Sequence, residues 1–557
     1  MRFRPPAFPH IHFMAAAPLD AWARLLLTPG ARIPIRYWPR VGVNLVLSAC
    51  VTVLTLPERV ALGPALWWLG RRRGWRLGRR DASEAAPAIV VLGYYRSGTT
   101  HLHNLLACDP HNYTPRWGQV LAPQGFVLSW FVLKLFLWAA LPTKRPQDDM
   151  AFGPEWPGED DFALSNWTLT SPLTGRSVLP GAYPHFERFN DLEGLSPRER
   201  ARWRRTQWAI LAKVSWLGAG RRLLLKTPPH TARVRAIGDV LGGPGRVKFI
   251  HLSRDPAAVL RSNERLMRAM EPFHLQNGPG DVAIRERLIA DYDRAERKYL
   301  EAEASLPEGD LVRVRYEDLV ADPVGQLRSA YGALGLGFSR RFEGRLATYL
   351  ESVREYRTET QKIAADRTQD APAATENTPE RASSGDPGTS DALAWIAREF
   401  GHDAPAVARA EPPASRRRRA GRWDWWRSCA AMLAGGVATL ASWAMVAGTT
   451  GHRWGSFALL GGIAIGLSAA RRGPGSPRRG LVAAALGVAL AMFGMLLAVR
   501  LVEVRATGDA PPAEFWSALW SVWWRRFSHE STLLWTALGA VAAYRLASRR
   551  FGGVPGQ

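Results

Sequence analysis

The sequence predicts an α/β domain with a mainly parallel sheet flanked by helices, followed by an all-α transmembrane region of about four helices. Three observations carry this. Short apolar runs alternate with helix-like stretches between residues 88 and 350. The first run ends in a glycine-bearing turn that leads into a helix pattern. Beyond residue 416, long uncharged stretches are separated by arginine clusters.

The chain has 557 residues, 47% of them hydrophobic and 22% charged, which excludes disorder over most of its length and calls for more than one domain. Basic residues exceed acidic ones, 73 − 49 = +24. That excess alone names no partner, and no nucleic-acid partner is expected. Only seven of the basic residues are lysine, so a lysine at a strand end stands out. Cys50, Cys108 and Cys429 are too few and too scattered for a disulfide framework or a zinc site. They point to a reduced compartment, and no metal is expected.

Residues 1–87 read as a helical, membrane-proximal segment. Pro5, Pro6, Pro9 and Pro18 interrupt its start, so no secretory segment is recognisable. Residues 41–56 are apolar and uncharged but meet Pro57, a length that suits a buried or interfacial helix better than a span. Residues 88–363 then form the α/β domain. Its runs at 88–92, 222–225, 247–252 and 311–314 are expected strands. Helices are expected at 99–107, 231–241, 256–270 and 282–304. The apolar stretch 126–141, broken only by Lys134, packs a core or flanks a greasy acceptor site.

Residues 364–391 hold Pro, Ala, Thr, Ser and acidic residues and read as a flexible insertion. A short helical piece at 392–403 and a basic linker at 404–427 follow. Uncharged stretches at 428–452, 454–470 and 480–499 have lengths suited to a bilayer's hydrocarbon core, and 531–546 is a shorter fourth candidate. Trp516, Trp520, Trp523 and Trp524 lie near helical spacing, as in an interfacial helix. Arginines gather at 416–427, 471–479 and 545–550. Four spans place all three clusters on the cytoplasmic side of the inner membrane, and the α/β domain with them.

The run 88–92 leads into Gly93-Tyr94-Tyr95-Arg96-Ser97-Gly98-Thr99-Thr100. Glycine allows a tight turn, and the helix start offers unpaired N–H groups to an anion. The glycine spacing is that of a nucleotide-triphosphatase loop, but Thr99 stands where that loop needs lysine. The positive charge comes earlier, at Arg96, which suits a shorter phosphate chain. At the end of the run 247–252, Asp255 reads as an N-cap and Pro256 as the first helical residue. Arg254 is thereby fixed at a strand's carboxyl end, where α/β sheets bind ligands. With Ser262 two turns on, it is suited to hold a second, separate phosphate.

These motifs, in this order, resemble those of PAPS-dependent sulfotransferases, in particular the bacterial family related to the protein-tyrosine and heparan enzymes. Tyr95-Arg96-Ser97-Gly98-Thr99-Thr100 resembles the family's 5′-phosphosulfate loop, and Arg254-Asp255-Pro256 with Ser262 resembles its 3′-phosphate motif. Further matches are Asp148-Asp149-Met150-Ala151-Phe152-Gly153, Glu159-Asp160-Asp161-Phe162, Lys226-Thr227-Pro228-Pro229-His230-Thr231 and Tyr316-Glu317-Asp318-Leu319. The resemblance spans residues 38 to 356. The membrane region lies outside the family pattern, and Arg357-Thr358-Glu359-Thr360 stands where an Arg-Asn pair is usual.

The resemblance implies a sulfotransferase fold with a P-loop-like sheet, PAPS as co-substrate, and sulfuryl transfer to a hydroxyl, less readily an amine. Arg96, Ser97, Gly98, Thr99 and Thr100 would hold the 5′-phosphosulfate, and Arg254 with Ser262 the 3′-phosphate. Lys226 would touch the bridging oxygen. The general base is expected to be Glu159, with Asp161 next within the acidic cluster, and His230 is the other candidate. Membrane anchoring makes a lipid-like or lipid-linked acceptor the favoured class. Two other readings remain: a P-loop kinase or triphosphatase, disfavoured by Thr99, and a non-catalytic nucleotide-binding membrane protein.

Overall fold

The computed structural model describes residues 12–77, 87–130, 152–353 and 387–402, with single positions or pairs at 133–134, 137, 141 and 150. Towards the C-terminus it describes 461–462, 464–465, 482–489, 536, 539–540 and 543. The chain divides into two compact units. The first comprises Met1–Lys134, Lys144–Ala408 and Gly553–Gln557; the second comprises Leu135–Thr143 and Arg409–Gly552.

Five strands form the sheet of the first unit: β1 (Ala88–Leu92), β2 (Asn112–Tyr113), β3 (Arg222–Lys226), β4 (Val247–Ser253) and β5 (Leu311–Arg315). Their order is β2-β3-β1-β4-β5, and every pairing is parallel. All five β1 residues are buried, as a central strand covered on both faces requires. One face carries Ile89, Val91, Leu224, Ile250 and Leu252, packed with Leu102, Leu327, Tyr331, Phe342 and Leu346 of covering helices. On the other, the His251 ring stacks on Tyr299 of helix Asp281–Glu303, with centroids 3.9 Å apart. Because β1 lies between β3 and β4, the order reverses there, and a crevice opens at the strands' carboxyl ends.

The four expected strands are present. The fifth, β2, is two residues long and has no apolar pattern to announce it. The expected helix at 231–241 is split into a 3₁₀ turn, Pro228–Ala232, and helix Val234–Leu241. Directly after β5, Tyr316 starts helix Tyr316–Ala321.

The largest departure concerns 41–56. Helix Trp38–Arg72 runs straight through Pro57 and Pro64 for 35 residues. A proline inside a helix removes one backbone bond and clashes with the preceding turn. Tertiary anchors offset that cost here. Beside Pro57, Glu58 accepts N–H bonds from Val127, Leu128 and Ser129 at 2.7–3.1 Å and pairs with Lys213 at 2.7 Å. This is the one helix among the described residues long and apolar enough to cross a membrane.

Helix Pro387–Glu399 lies in the first unit and packs Ala392 and Leu393 against Leu260, Met267 and Ile284. In the second unit, Ile465, Ala483 and Ala543 form a buried cluster. A Cβ at Gly462 would stand 2.0 Å from the Gly539 carbonyl oxygen, so the backbones meet through glycine. The motif positions Asp148, Asp149 and Ala151, residues 357–360, the 404–427 linker and the span 428–452 lie outside the described residues. So does most of the insertion at 364–391 and most of the other three candidate spans.

Candidate active site

β1 delivers the chain to Gly93 at the carboxyl edge of the sheet. A Cβ there would sit 2.6 Å from the Leu252 carbonyl oxygen, and φ is +140°, so glycine lets the loop cross β4 closely. The Gly93 N–H donates to Thr231 Oγ1 at 2.8 Å, which ties the loop to the turn after β3. Gly98 precedes helix Thr99–Leu106 with φ +94°, and its missing Cβ is replaced by the Tyr316 ring, 2.3 Å from where that carbon would be. Arg96 also has a positive φ, +70°, which a side-chain-bearing residue seldom adopts.

That twist sends the Arg96 side chain across the crevice. Its Nε donates to Ser262 Oγ at 3.0 Å. Arg254 Nη1 donates to the Arg96 carbonyl at 3.2 Å, and its guanidinium lies 4.4 Å from the Tyr316 ring centroid. Asp255 caps helix Pro256–Met270 by accepting from the N–H groups of Ala257 and Ala258, both at 3.1 Å. Arg254 makes no ion pair among the described residues. Two guanidinium groups, a hydroxyl and a helix start thus converge, an arrangement that fits phosphate groups. The two phosphate motifs share one hydrogen-bonded cluster, with Arg96 joined to Ser262.

Lys226 ends β3 and is 2% exposed. Its Nζ donates to Thr100 Oγ1 at 3.0 Å and contacts the Glu159 carboxylate. Glu159 is the N-cap of helix Asp160–Thr168, yet its side chain makes no capping bond and turns to Lys226 instead. A loop hydroxyl, an ammonium and a carboxylate therefore stand in a row beside the phosphate cluster.

The other two carboxylates of the triplet point elsewhere. Asp160 is fully buried and accepts from Gln207 at 2.6 Å and meets His230 Nε2 at 2.9 Å. Burial alone would raise its pKa, but the His230 ring and the Gln207 amide outweigh it and hold the carboxyl below its usual range. Asp161 is fully buried between Arg233 Nη1 at 2.6 Å and the Ser171 hydroxyl at 2.8 Å. The geometry thus differs from the expectation that Asp161 and His230 stand ready as bases. Both side chains are completely enclosed and engaged, whereas Glu159 is 13% exposed. Asp161→Asn should cost stability, about 3–5 kcal/mol, by leaving Arg233 buried without its counter-charge. Urea unfolding of purified protein would measure it, and a change below about 1 kcal/mol would mean that the pair is not structural.

Several residues that the sequence reading left without a role support the loop. Asn263 Nδ2 donates to the Tyr95 carbonyl at 2.7 Å, and its Oδ1 accepts from Arg176 at 2.7 Å. The Arg176 guanidinium lies 4.1 Å from the Tyr95 ring centroid. Tyr316 underlies both Gly98 and Arg254. His402, beyond the insertion, bonds Ser253 Oγ at 3.1 Å beside Arg254. Asn263 adjoins Ser262 of a recognised motif and Tyr316 opens another, which was the only signal available. A cavity beside Tyr94 and Tyr95 is lined by Glu187, Asp191, Asp291 and Arg294, with Arg294 paired to Asp191.

Fold and site together define an α/β protein with a glycine-bearing loop, suited to an anion, at the switch point of a parallel sheet. The model of the family described as "Sulfotransferase family" matches residues 87–340. Omega-hydroxy-beta-dihydromenaquinone-9 sulfotransferase Stf3 of Mycobacterium bovis (strain ATCC BAA-935 / AF2122/97) is 30% identical over 361 residues, covering 63% of this chain and 87% of the relative. The same values hold for Stf3 of Mycobacterium tuberculosis (strain CDC 1551 / Oshkosh). Among solved structures, sulfotransferase STF1 from Mycobacterium tuberculosis H37Rv matches with a TM-score of 0.44 and 16% identity, over 63% of this chain and 88% of that one. The chain belongs to the sulfotransferase family.

Proposed function

We propose that this protein is a membrane-anchored sulfotransferase that moves a sulfuryl group from PAPS to the hydroxyl of a lipid-like acceptor on the cytoplasmic side of the inner membrane. The observation that carries the reading is the contact of Lys226 with Glu159 and Thr100, beside the Arg96–Ser262–Arg254 cluster. PAPS supplies the sulfuryl group on an activated phosphate. Arg254 and Ser262 hold the 3′-phosphate, and Arg96 bridges the cluster to the loop. The N–H groups of residues 97–100 face the 5′-phosphate. Lys226 neutralises the charge that grows on the departing bridging oxygen. Glu159 accepts the acceptor's hydroxyl proton as the new S–O bond forms and the old one breaks.

The acceptor class rests on kinship and membrane context. The named relatives are sulfotransferases of a hydroxylated dihydromenaquinone. The expected apolar spans would hold the catalytic unit near lipid. An isoprenoid or related lipid bearing a terminal hydroxyl suits both facts. Reporter fusions after Gly451, Pro477, Pro511 and Gln557 should read outside, inside, outside and inside. An outside reading at Gln557 would reduce four spans to three.

Nucleotide preference tests the site itself. PAP should stabilise the purified protein more than ADP does, because ADP lacks the 3′-phosphate. Arg254→Ala and Ser262→Ala should each remove roughly tenfold or more of PAP affinity, the value of one charge-assisted hydrogen bond, and leave ADP binding almost unchanged. Equal losses for both ligands would contradict the assignment. A preference for ATP would favour the kinase or triphosphatase reading.

A further inference from the structure

Helix Trp38–Arg72 is amphipathic in the reverse sense for a water-soluble protein. The stripe it turns inward is rich in polar residues: Asn44, Ser48, Thr55 and Glu58 are each at most 1% exposed, with Val41 and Val51 buried among them. The stripe it turns outward is apolar: Val46 is 66% exposed, Val53 70%, Leu56 50% and Val60 67%. Of the fifteen large hydrophobic side chains exposed among the described residues, nine belong to this helix. A core helix buries its apolar face, so this one meets a medium other than water on its outer side.

Three of these inward side chains bond to residues outside the helix, while Thr55 bonds back to the Val51 carbonyl. Asn44 accepts from the His12 N–H at 3.0 Å, and Ser48 donates to the Ala17 carbonyl. Glu58 holds the N–H groups at 127–129 and Lys213. Gly70 adjoins the rings of Trp75 and Trp208. A helix fastened along its length to a folded domain cannot pass perpendicularly through a bilayer; it lies in the plane of the surface.

The ends of the helix identify the medium. Arg71 and Arg72 lie over Trp67 and Trp68 at 5.5 and 4.4 Å, and both tryptophans are about half exposed. At the other end Arg36 and Arg40 flank Tyr37 at 4.9 and 5.6 Å. Between residues 32 and 76 the only acidic residue is Glu58, which is buried. An apolar centre with aromatic and arginine ends and no exposed carboxylate matches an anionic lipid surface. We propose that the outer face of this helix is a monotopic docking surface for an anionic bilayer. It would seat the catalytic unit on the membrane independently of the C-terminal spans.

Cys50 offers the test, because it is exposed on this helix while Cys108 is buried with its thiol pushed up to about 12 by desolvation. The full chain carrying Cys429→Ser would be labelled at Cys50 with an environment-sensitive fluorophore. It would then be reconstituted in vesicles of phosphatidylcholine and phosphatidylglycerol. Nitroxide placed near the lipid headgroups should quench the label about twofold, and more than nitroxide at the bilayer centre, since such helices sit about 5–10 Å deep. Aqueous iodide should quench it weakly. Adding Val53→Glu and Val60→Glu, both at exposed positions, should reverse the two responses. Strong iodide quenching in the parent would overturn the proposal by placing the face in water. Quenching by neither agent would overturn it by showing a protein cover, from a second copy or from residues 409–552. None of these readouts requires sulfuryl transfer, so the surface can fail while the activity stands, and the reverse.

Discussion

Replacing Lys226 with alanine is expected to lower turnover by about 10²–10³-fold while leaving PAP affinity within a few-fold of the parent. The ammonium contacts Thr100 and Glu159 at the end of β3. In its proposed role beside the bridging oxygen, its charge would matter most as that oxygen becomes negative in the transition state. Rapid-quench transfer assays with radiolabelled PAPS would measure turnover, and thermal shifts with PAP would measure affinity. A folded variant with unchanged turnover would remove Lys226 from the chemistry. An equal loss of affinity would make it a binding residue.

Glu159→Gln is expected to lower turnover by about 10²–10⁴-fold, the range for loss of a general base, again without a matching loss of PAP affinity. The amide keeps the shape of the side chain but cannot take the acceptor's proton. Because Glu159 and Lys226 touch, the double variant should lose less than the product of the two single losses. His230→Ala serves as the comparison. His230 is buried against Asp160, so its removal should destabilise the fold rather than single out turnover. If Glu159→Gln retains turnover within about tenfold while folded His230→Ala does not, the base is His230.

The contrast among the three adjacent carboxylates shows where sequence reading ends. Glu159-Asp160-Asp161 reads as one acidic cluster at a helix start. Successive helical residues point about 100° apart, so the cluster disperses: Glu159 to Lys226, Asp160 to His230, Asp161 to Arg233. No local pattern encodes which partner each meets, because those partners lie 67 to 72 residues away. The two strand–turn–helix motifs were legible as local structure because each is contiguous in the chain, with Asp255 and Pro256 marking a boundary the structure reproduces. The bond from Arg96 to Ser262 was not legible, since it needs a positive φ at Arg96 and a contact 166 residues distant.

Strands were legible by an apolar run in the sequence and not by burial: Leu311–Arg315 was read although only Val314 in it is buried, and Asn112–Tyr113 was missed although both residues are buried. The pentapeptide Ala88–Leu92 is apolar throughout because both its faces are covered, whereas Asn112–Tyr113 pairs along β3 through its backbone and carries no side-chain signature. The N-terminal helix was misjudged at Pro57 for a related reason. Local propensity says stop, and only the tertiary bonds to Glu58 show why the helix continues. Its polar residues look like interruptions of an apolar run until their inward partners are seen.

Sulfuryl transfer from PAPS to lipid is tested most directly by the transfer itself. The full chain, reconstituted in vesicles containing a hydroxyl-terminated isoprenoid lipid, would be incubated with PAPS carrying radioactive sulfur. Label should move into the organic phase with release of an equal amount of PAP, and Lys226→Ala should abolish the movement. Label that stays in the nucleotide, while γ-labelled ATP transfers its phosphate to the same lipid, would contradict the assignment.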